Sequence, residues 1–447
     1  MSVDLVLCNG KVFTNDAIHD AGIAIENGKI VKIAKEPHLP ASPRRIDLDG
    51  NLMLPGLIDA HVHLRGQLQA YEEDFFTGTA AAVAGGITTV LDMPNNTPVT
   101  MDSASLKDRM HAAKDRIVAN VGFFSAFPPD LGEFRRVVNA GAKGFKLFLT
   151  AQIGGMNIDD DQSLLKAFDE TRALGVPVAI HAEDRETVEE ASATEKTQGH
   201  RNVEAYLKAH TCAAEETAVE RILRLAHQSH AHVHFCHLSC TKSVRVINTG
   251  RKDGLKVSCE ATPHHLLLTL DDLNRQGSML VTDPPVRERS IAEALFGAIR
   301  SGQIDIIASD HAPHLLEEKT AALVWDVKPG IPGLETLLPL LLTKVNEKRL
   351  TISELVRLTA TRPAEIFRLH NAGSLDEGYD ANITVVDMHR RSRIDADTFH
   401  SKAKYSPFDN WRVRGMPVKT FVNGELVMEE GAIVAEGGVG RILNSQF

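Results

Sequence analysis

The chain has 447 residues, 43 % of them hydrophobic and 24 % charged, the make-up of an ordinary soluble globular protein with a large core. A net charge of −10 without any basic block argues against nucleic acid as a partner. No run approaches 18 apolar residues, and the start lacks the charged-then-apolar pattern of a signal peptide, so neither a membrane span nor secretion is expected. The five cysteines are an odd and scattered set, which predicts no disulfide framework and fits a reducing cytosol. Cys236 and Cys240, four apart, read as small buried apolar residues rather than half of a zinc knuckle.

Residues 1–53 read as short strands. Asn9-Gly10 and Asn27-Gly28 each sit between apolar runs and predict hairpin turns. From Gly56 the texture becomes strand-then-helix. Eight β-branched-rich runs cover 57–63, 87–92, 117–125, 142–149, 176–182, 232–238, 256–261 and 304–309. Helical patterns at 72–84, 161–173, 213–226 and 291–299 lie between them, and two more follow at 333–346 and 352–359. Eight such units predict a closed (β/α)8 TIM barrel, and the absence of a Gly-x-Gly-x-x-Gly helix start argues against a dinucleotide fold. From about Gly378 strands return, ending in a hairpin at Asn423-Gly424. The economical arrangement is an α/β protein with the barrel at 54–377 and one discontinuous β-sandwich from 1–53 plus 378–447.

Chemistry in such a barrel gathers where the strands end. His61-Val62-His63 closes the first run, and residues two apart in a strand share a face. A bare His-x-His is as readily two buried hydrogen-bonded histidines as a metal pair. Arg65 follows on the same face. The other run ends bring Asn95, Lys146, His181, His237, His264-His265, and Asp310 with His314. Independent core histidines would not collect at one end of successive strands, so the joint pattern favours a metal site. Lys146, between Phe145 and Leu147, is a buried ammonium, costly unless paired. A neutral lysine amine can instead take up CO2 as a carbamate, a two-oxygen bridge between divalent metals.

Pro55-Gly-Leu-Ile-Asp-Ala-His-Val-His, a strand-borne lysine, single histidines on the next two runs and Asp310 resemble the amidohydrolase superfamily. Within it, His-Val-His-Leu-Arg, Asp92-Met-Pro-Asn-Asn, Thr262-Pro-His-His-Leu, Pro284-Pro-Val-Arg and Asp310-His-Ala-Pro-His are similar to the dihydroorotases, in an archaeal-type variant. The resemblance implies a cytoplasmic zinc enzyme of pyrimidine biosynthesis. It would reversibly hydrolyse the cyclic amide of (S)-dihydroorotate to N-carbamoyl-L-aspartate. His61, His63 and Asp310 would hold one Zn2+, His181 and His237 the second, with carboxylated Lys146 and a hydroxide bridging both. Hydroxide would attack the ring carbonyl, and Asp310 would carry its proton to the leaving nitrogen. Arg65, Asn95 and His314 would hold the substrate carboxylate, with Asp283, Pro329 and Gly330 around the ring. His234 could face the site as well, but the family pattern prefers His237. Where the family commonly has Asn before Pro-Pro, this chain has Asp283, which must point away or pair with Arg287. Gly154-Gly155 could hinge a lid over residues 150–157. The resemblance is compatible with a homodimer and with association with aspartate transcarbamoylase. An allantoinase or a hydantoinase/dihydropyrimidinase is the alternative, and a non-catalytic scaffold of the same fold the remote one.

Overall fold

The computed structural model describes residues 2–444; Met1 and the last three residues of the expected C-terminal piece, 445–447, lie outside it. Eight parallel strands form one sheet in chain order: β1 (Leu57–Val62), β2 (Ile87–Asp92), β3 (Asn120–Ala126), β4 (Gly144–Phe148), β5 (Val178–His181), β6 (Val233–Phe235), β7 (Val257–Ala261) and β8 (Ile306–Ile307). All are buried along their length, as expected of strands covered on both faces. β8 has only two residues, and the circle closes beyond it. There the His63 amide donates to His311 O at 2.8 Å, and the Ser309 amide donates to the Asp59 carboxylate at 3.1 Å. The result is a nearly closed (β/α)8 barrel.

The connecting helices start and stop where the sequence carries caps. Asp74 accepts from the Phe76 and Thr77 amides to open helix Phe75–Ala84. Gly85 caps its C-terminus, at a point so close to the next segment that a Cβ would lie 2.1 Å from Leu334 O. Asp160 opens Asp161–Leu174, and Gly175, at φ 69°, closes it. The pattern expected at 352–359 is helical throughout, α-helical over Ile352–Val356 and then π-helical over Arg357–Thr361.

The chain ends supply two further sheets. One holds four N-terminal strands in the order Lys29–Ala34, Gly22–Glu26, Leu5–Cys8, Arg45–Asp47. The other interleaves both ends: Ile383–Arg393 and Arg412–Val422 from the C-terminal part join Leu52–Pro55 and Lys11–Thr14 from the N-terminal part. Leu5, Ile23 and Ile25 from the first sheet share a core with Val12, Met53, Val385 and Phe421 from the second. Leu52 and Leu54 alternate with Met53 and point instead into the barrel core. One short strand therefore ties both layers together.

Two expectations fail. Asn27-Gly28 and Asn423-Gly424 do turn antiparallel hairpins, but Asn9-Gly10 does not. Leu5–Cys8 and Lys11–Thr14 belong to different sheets, and only Asn9 of the dipeptide has positive φ, where a type I′ turn needs both. Cys240 is also no lone apolar residue. It is bonded to Cys212, 28 residues away, with their Cα atoms 5.7 Å apart. Cys212 begins helix Cys212–Ser229 and Cys240 caps helix Thr241–Lys252, so two neighbouring helix starts bring the sulfurs together. The argument for a reducing compartment from unpaired cysteines falls with it. Cys8, Cys236 and Cys259 are free and buried. Among the described residues no helix is long and apolar enough to cross a membrane.

Candidate active site

His61 and His63 leave β1 on one side and meet Asp310, which follows β8. Asp310 Oδ1 lies 3.4 Å from His61 Nε2 and 3.2 Å from His63 Nε2. Each ring is oriented through its far nitrogen. His61 Nδ1 donates to Glu260 Oε1 at 2.5 Å and His63 Nδ1 to Asn95 Oδ1 at 2.7 Å. These donations place the protons on Nδ1 and leave both Nε2 lone pairs facing Asp310. Burial lowers the pKa of both imidazoles, His61 with help from Lys146 and His63 with help from Arg65, so both are neutral at pH 7. Burial raises that of Asp310 against the pull of His61 and Lys146.

Across the barrel mouth, His181 Nε2 donates to Glu183 Oε2 at 3.1 Å, which turns its Nδ1 lone pair towards His237 Nε2, 3.1 Å away. Burial and the neighbouring His181 hold His237 well below the ordinary histidine value. His237, not His234, joins the cluster. His234 turns away to Ser258 Oγ at 2.9 Å and Glu260 Oε2 at 3.0 Å. Lys146, fully buried on β4, lies between the two groups. Its Nζ donates to Cys236 Sγ at 2.9 Å and approaches His61 Nε2 at 3.4 Å. Among the described residues Nζ makes no close ion pair with a carboxylate, though its charge is felt at Asp310.

The donor set fits divalent metal. With Zn–N bonds of ~2.0–2.1 Å, two ligands on a tetrahedral ion stand about 3.3 Å apart. The nitrogen–oxygen and nitrogen–nitrogen separations of 3.1–3.4 Å above match that edge. His61, His63 and Asp310 also form one of the buried groups whose donor atoms all lie within 4.8 Å. Three of the residues hold backbone angles that L-residues adopt rarely: Arg65 at φ 51°, His237 at 30° and Asp310 at 49°. Such positions persist where the surroundings impose them, and they cluster at working sites.

Over these groups opens a cavity of about 190 Å³, reached by Arg65, Asp283, Pro329 and Gly330 and roofed in part by Thr150, Ala151 and Ile153. That volume is below the ~300–1,000 Å³ of drug-sized pockets and suits a small single-ring compound. The expected hinge is anchored: the Gly155 amide donates to Phe127 O at 2.8 Å. Arg65 Nη2 lies 3.2 Å from His314 Nε2, and His314 Nε2 lies 3.1 Å from Pro329 O. Asn95 is engaged through Oδ1 by His63. A larger hollow of about 740 Å³ near Asn15, Arg357 and Arg362 lies away from these groups and gathers no comparable metal donors among the described residues.

Asp283 corrects the sequence reading. It neither points away nor pairs with Arg287; its Oδ1 lies 3.1 Å from His210 Nδ1, and its Oδ2 3.9 Å from His181 Nε2. Arg287 instead donates to Ser239 Oγ and His210 O. His210 also contacts Glu183 Oε1 at 3.1 Å. Burial disfavours its charge, but the Glu183 and Asp283 carboxylates outweigh burial and raise its pKa to about 10. Sequence reasoning missed Glu260, His210 and Glu72. Glu260, an acid inside the apolar strand Val257–Ala261, carries the same signal as Lys146. His210, at the end of helix Val203–Ala209, carries none.

The sequence profile of the amidohydrolase family matches residues 52–427. The chain belongs to the amidohydrolase family. It is therefore a hydrolase by kinship, in a family that is generally metal-dependent, and His61, His63 and Asp310 form a buried group able to hold a metal ion. Among its relatives are the dihydroorotase of Methanothermobacter thermautotrophicus, 38 % identical over 97 % of this chain and 96 % of that one, and the L-hydantoinase of Paenarthrobacter aurescens, 32 % identical over 98 % of each. A solved structure, the L-hydantoinase (dihydropyrimidinase) from Arthrobacter aurescens, superposes with a TM-score of 0.95 at 31 % identity, covering 99 % of this chain and 100 % of that one. Members of this family similar to the present chain are thus cyclic amidases of more than one kind.

Proposed function

We propose that this amidohydrolase is a dihydroorotase, hydrolysing the ring amide of (S)-dihydroorotate to N-carbamoyl-L-aspartate and closing the ring in reverse. The observation that carries the reading is Arg65 on the wall of a small cavity above the metal-type cluster, with His314 behind it at 3.2 Å. A guanidinium matches a carboxylate with two parallel hydrogen bonds, and dihydroorotate bears a carboxylate beside its ring. Zinc ions held by His61, His63 and Asp310, and by His181 and His237 with carbamylated Lys146 between, would polarise the amide carbonyl and make water nucleophilic at neutral pH. The protein's own groups do the rest. Arg65 and His314 orient the ring. Asp310, its pKa raised by burial, takes the proton from water and gives it to the ring nitrogen as the C–N bond breaks.

A hydantoinase or dihydropyrimidinase is the second reading. The L-hydantoinase relatives favour it, and so does Glu72, whose carboxylate already lies 3.4 Å from Arg65 Nε. Turnover of dihydroorotate, hydantoin, dihydrouracil and allantoin by one metal-loaded preparation separates them. Dihydroorotate is expected to give the highest kcat/KM; activity on the uncharged rings alone would overturn the dihydroorotase reading.

A further inference from the structure

The loop after β1 doubles back on Arg65. The Gly66 amide donates to Glu73 O at 2.9 Å, and Arg109 Nη1 donates to the Arg65 carbonyl at 2.7 Å. Glu72, seven residues past Arg65, is returned by this fold to the Arg65 side chain. Its Oε2 lies 3.4 Å from Arg65 Nε and 3.0 Å from His314 Nδ1; its Oε1 accepts from Gln69 Nε2 at 3.3 Å. Glu72 is 4 % exposed, Arg65 6 % and His314 8 %. The approach to His314 lies off the N–H direction, so Glu72 Oε2 and His314 Nδ1 both lack a well-aligned hydrogen bond. Glu318 Oε2 stands further off, 3.8 Å from His314 Nδ1. The Glu72 carboxylate thus faces both groups from one side, where Arg65 Nε also donates to Pro313 O at 3.4 Å. Arg65 Nη2 and His314 Nε2, 3.2 Å apart, form the other edge, where His314 Nε2 also lies 3.1 Å from Pro329 O.

We propose that Glu72 is a positioning residue that sets specificity: it holds Arg65 and His314 from behind so that their outer nitrogens receive a carboxylate on the ring substrate. The inference rests on the dihydroorotase reading. A buried guanidinium without a partner is costly and would swing to other acceptors, and Glu72 keeps it in one geometry while leaving its Nη edge free.

The experiment compares Glu72→Gln with the unmodified, metal-loaded protein. It reads kcat and KM for dihydroorotate, and calorimetric affinity for orotate and for uracil, a carboxylated ring and its uncharged counterpart. Metal content and Tm report on folding. Losing a charge-assisted contact predicts a rise of about tenfold or more in KM for dihydroorotate and in Kd for orotate, with kcat within about twofold. Uracil affinity should stay unchanged. A general loss of structure would instead weaken both rings alike and overturn the proposal. Tighter orotate binding in Glu72→Gln would also overturn it, because Glu72 would then be competing with substrate. An unmodified protein that turns over dihydroorotate, with a variant of unchanged KM, would refute the role of Glu72 alone. An unmodified protein that neither turns over dihydroorotate nor binds orotate would refute the parent reading and this inference together.

Discussion

Glu260 offers the sharpest test that the barrel mouth is built for metal. Its carboxylate is fully buried and accepts from three directions: His61 Nδ1 at 2.5 Å, His234 Nε2 at 3.0 Å and the His237 amide at 3.0 Å. Burial opposes its charge, but His61 and His234 outweigh burial and hold its carboxyl below the usual range. One side chain therefore fixes the tautomer of a ligand from β1 and the backbone of a ligand following β6. Glu260→Gln keeps the shape, since its amide oxygen still accepts from His61 and its amide nitrogen can donate to His234. What it removes is the negative charge that makes His61 a stronger donor. Outer partners of metal-bound histidines are each worth about 10–100-fold in affinity, or about 1.4–2.7 kcal/mol. Zinc affinity, read by competition with a chromophoric chelator, is expected to fall by that factor while Tm of the metal-free protein changes little. Glu260→Ala leaves two imidazoles and an amide unpaired, so it should also destabilise the metal-free protein by about 3 kcal/mol or more. Glu260→Gln with zinc affinity within twofold of the unmodified protein would refute the reasoning and leave Glu260 a core pairing residue only.

Lys146→Ala should lose both bound metal and turnover, and short carboxylic acids should restore part of each; metal analysis with and without propionate checks it. Asp310→Asn should keep most of its metal, through the remaining ligands, yet lose about 10²-fold or more in kcat, the usual scale of a missing proton carrier; near-normal kcat would remove Asp310 from that role. Lys319, fully buried and donating to Val281 O and Lys328 O, has its pKa pushed down by burial to about 7. Between that value and the ~10.4 of an unfolded lysine, the unfolded chain binds a proton the folded one does not, so stability rises with pH by up to about 1.4 kcal/mol per unit, a rise that Lys319→Met should abolish in denaturation measured at pH 7 and pH 9.

The barrel was legible because its strands are buried on both faces, so each is a continuous apolar run that ends abruptly in polar residues. The metal-type cluster was legible for the same reason: a charge or a histidine at the end of such a run has no solvent to meet. His61, His63, Lys146, His181, His237 and Asp310 all carry that signal, and the structure brings them together. Residues set by the meeting of distant segments gave no such signal. Asn9-Gly10 has the local chemistry of a hairpin, but its flanking strands are claimed by different sheets. Cys212 and Cys240 meet only because two helices start side by side. Asp283 finds His210, at the end of a helix 73 residues earlier in the chain, rather than the nearby Arg287.

Arg65 lies between the two cases. Its place on the face of the histidine pair follows from strand geometry, and it does reach the cavity. What decides its chemistry is the company it keeps, and that comes from an irregular loop. Residues 66–74 have no periodicity, yet they return Glu72 to the guanidinium and Glu73 to Ser401 on the far segment of the chain. On the dihydroorotase reading that guanidinium is offered to a substrate carboxylate; on the hydantoinase reading Glu72 neutralises it. The reaction type is thus written in strand ends, where burial makes each polar residue conspicuous. On the proposed reading the choice of ring rests on a loop, where an exposed acid and a buried counter-ion look alike until the chain folds.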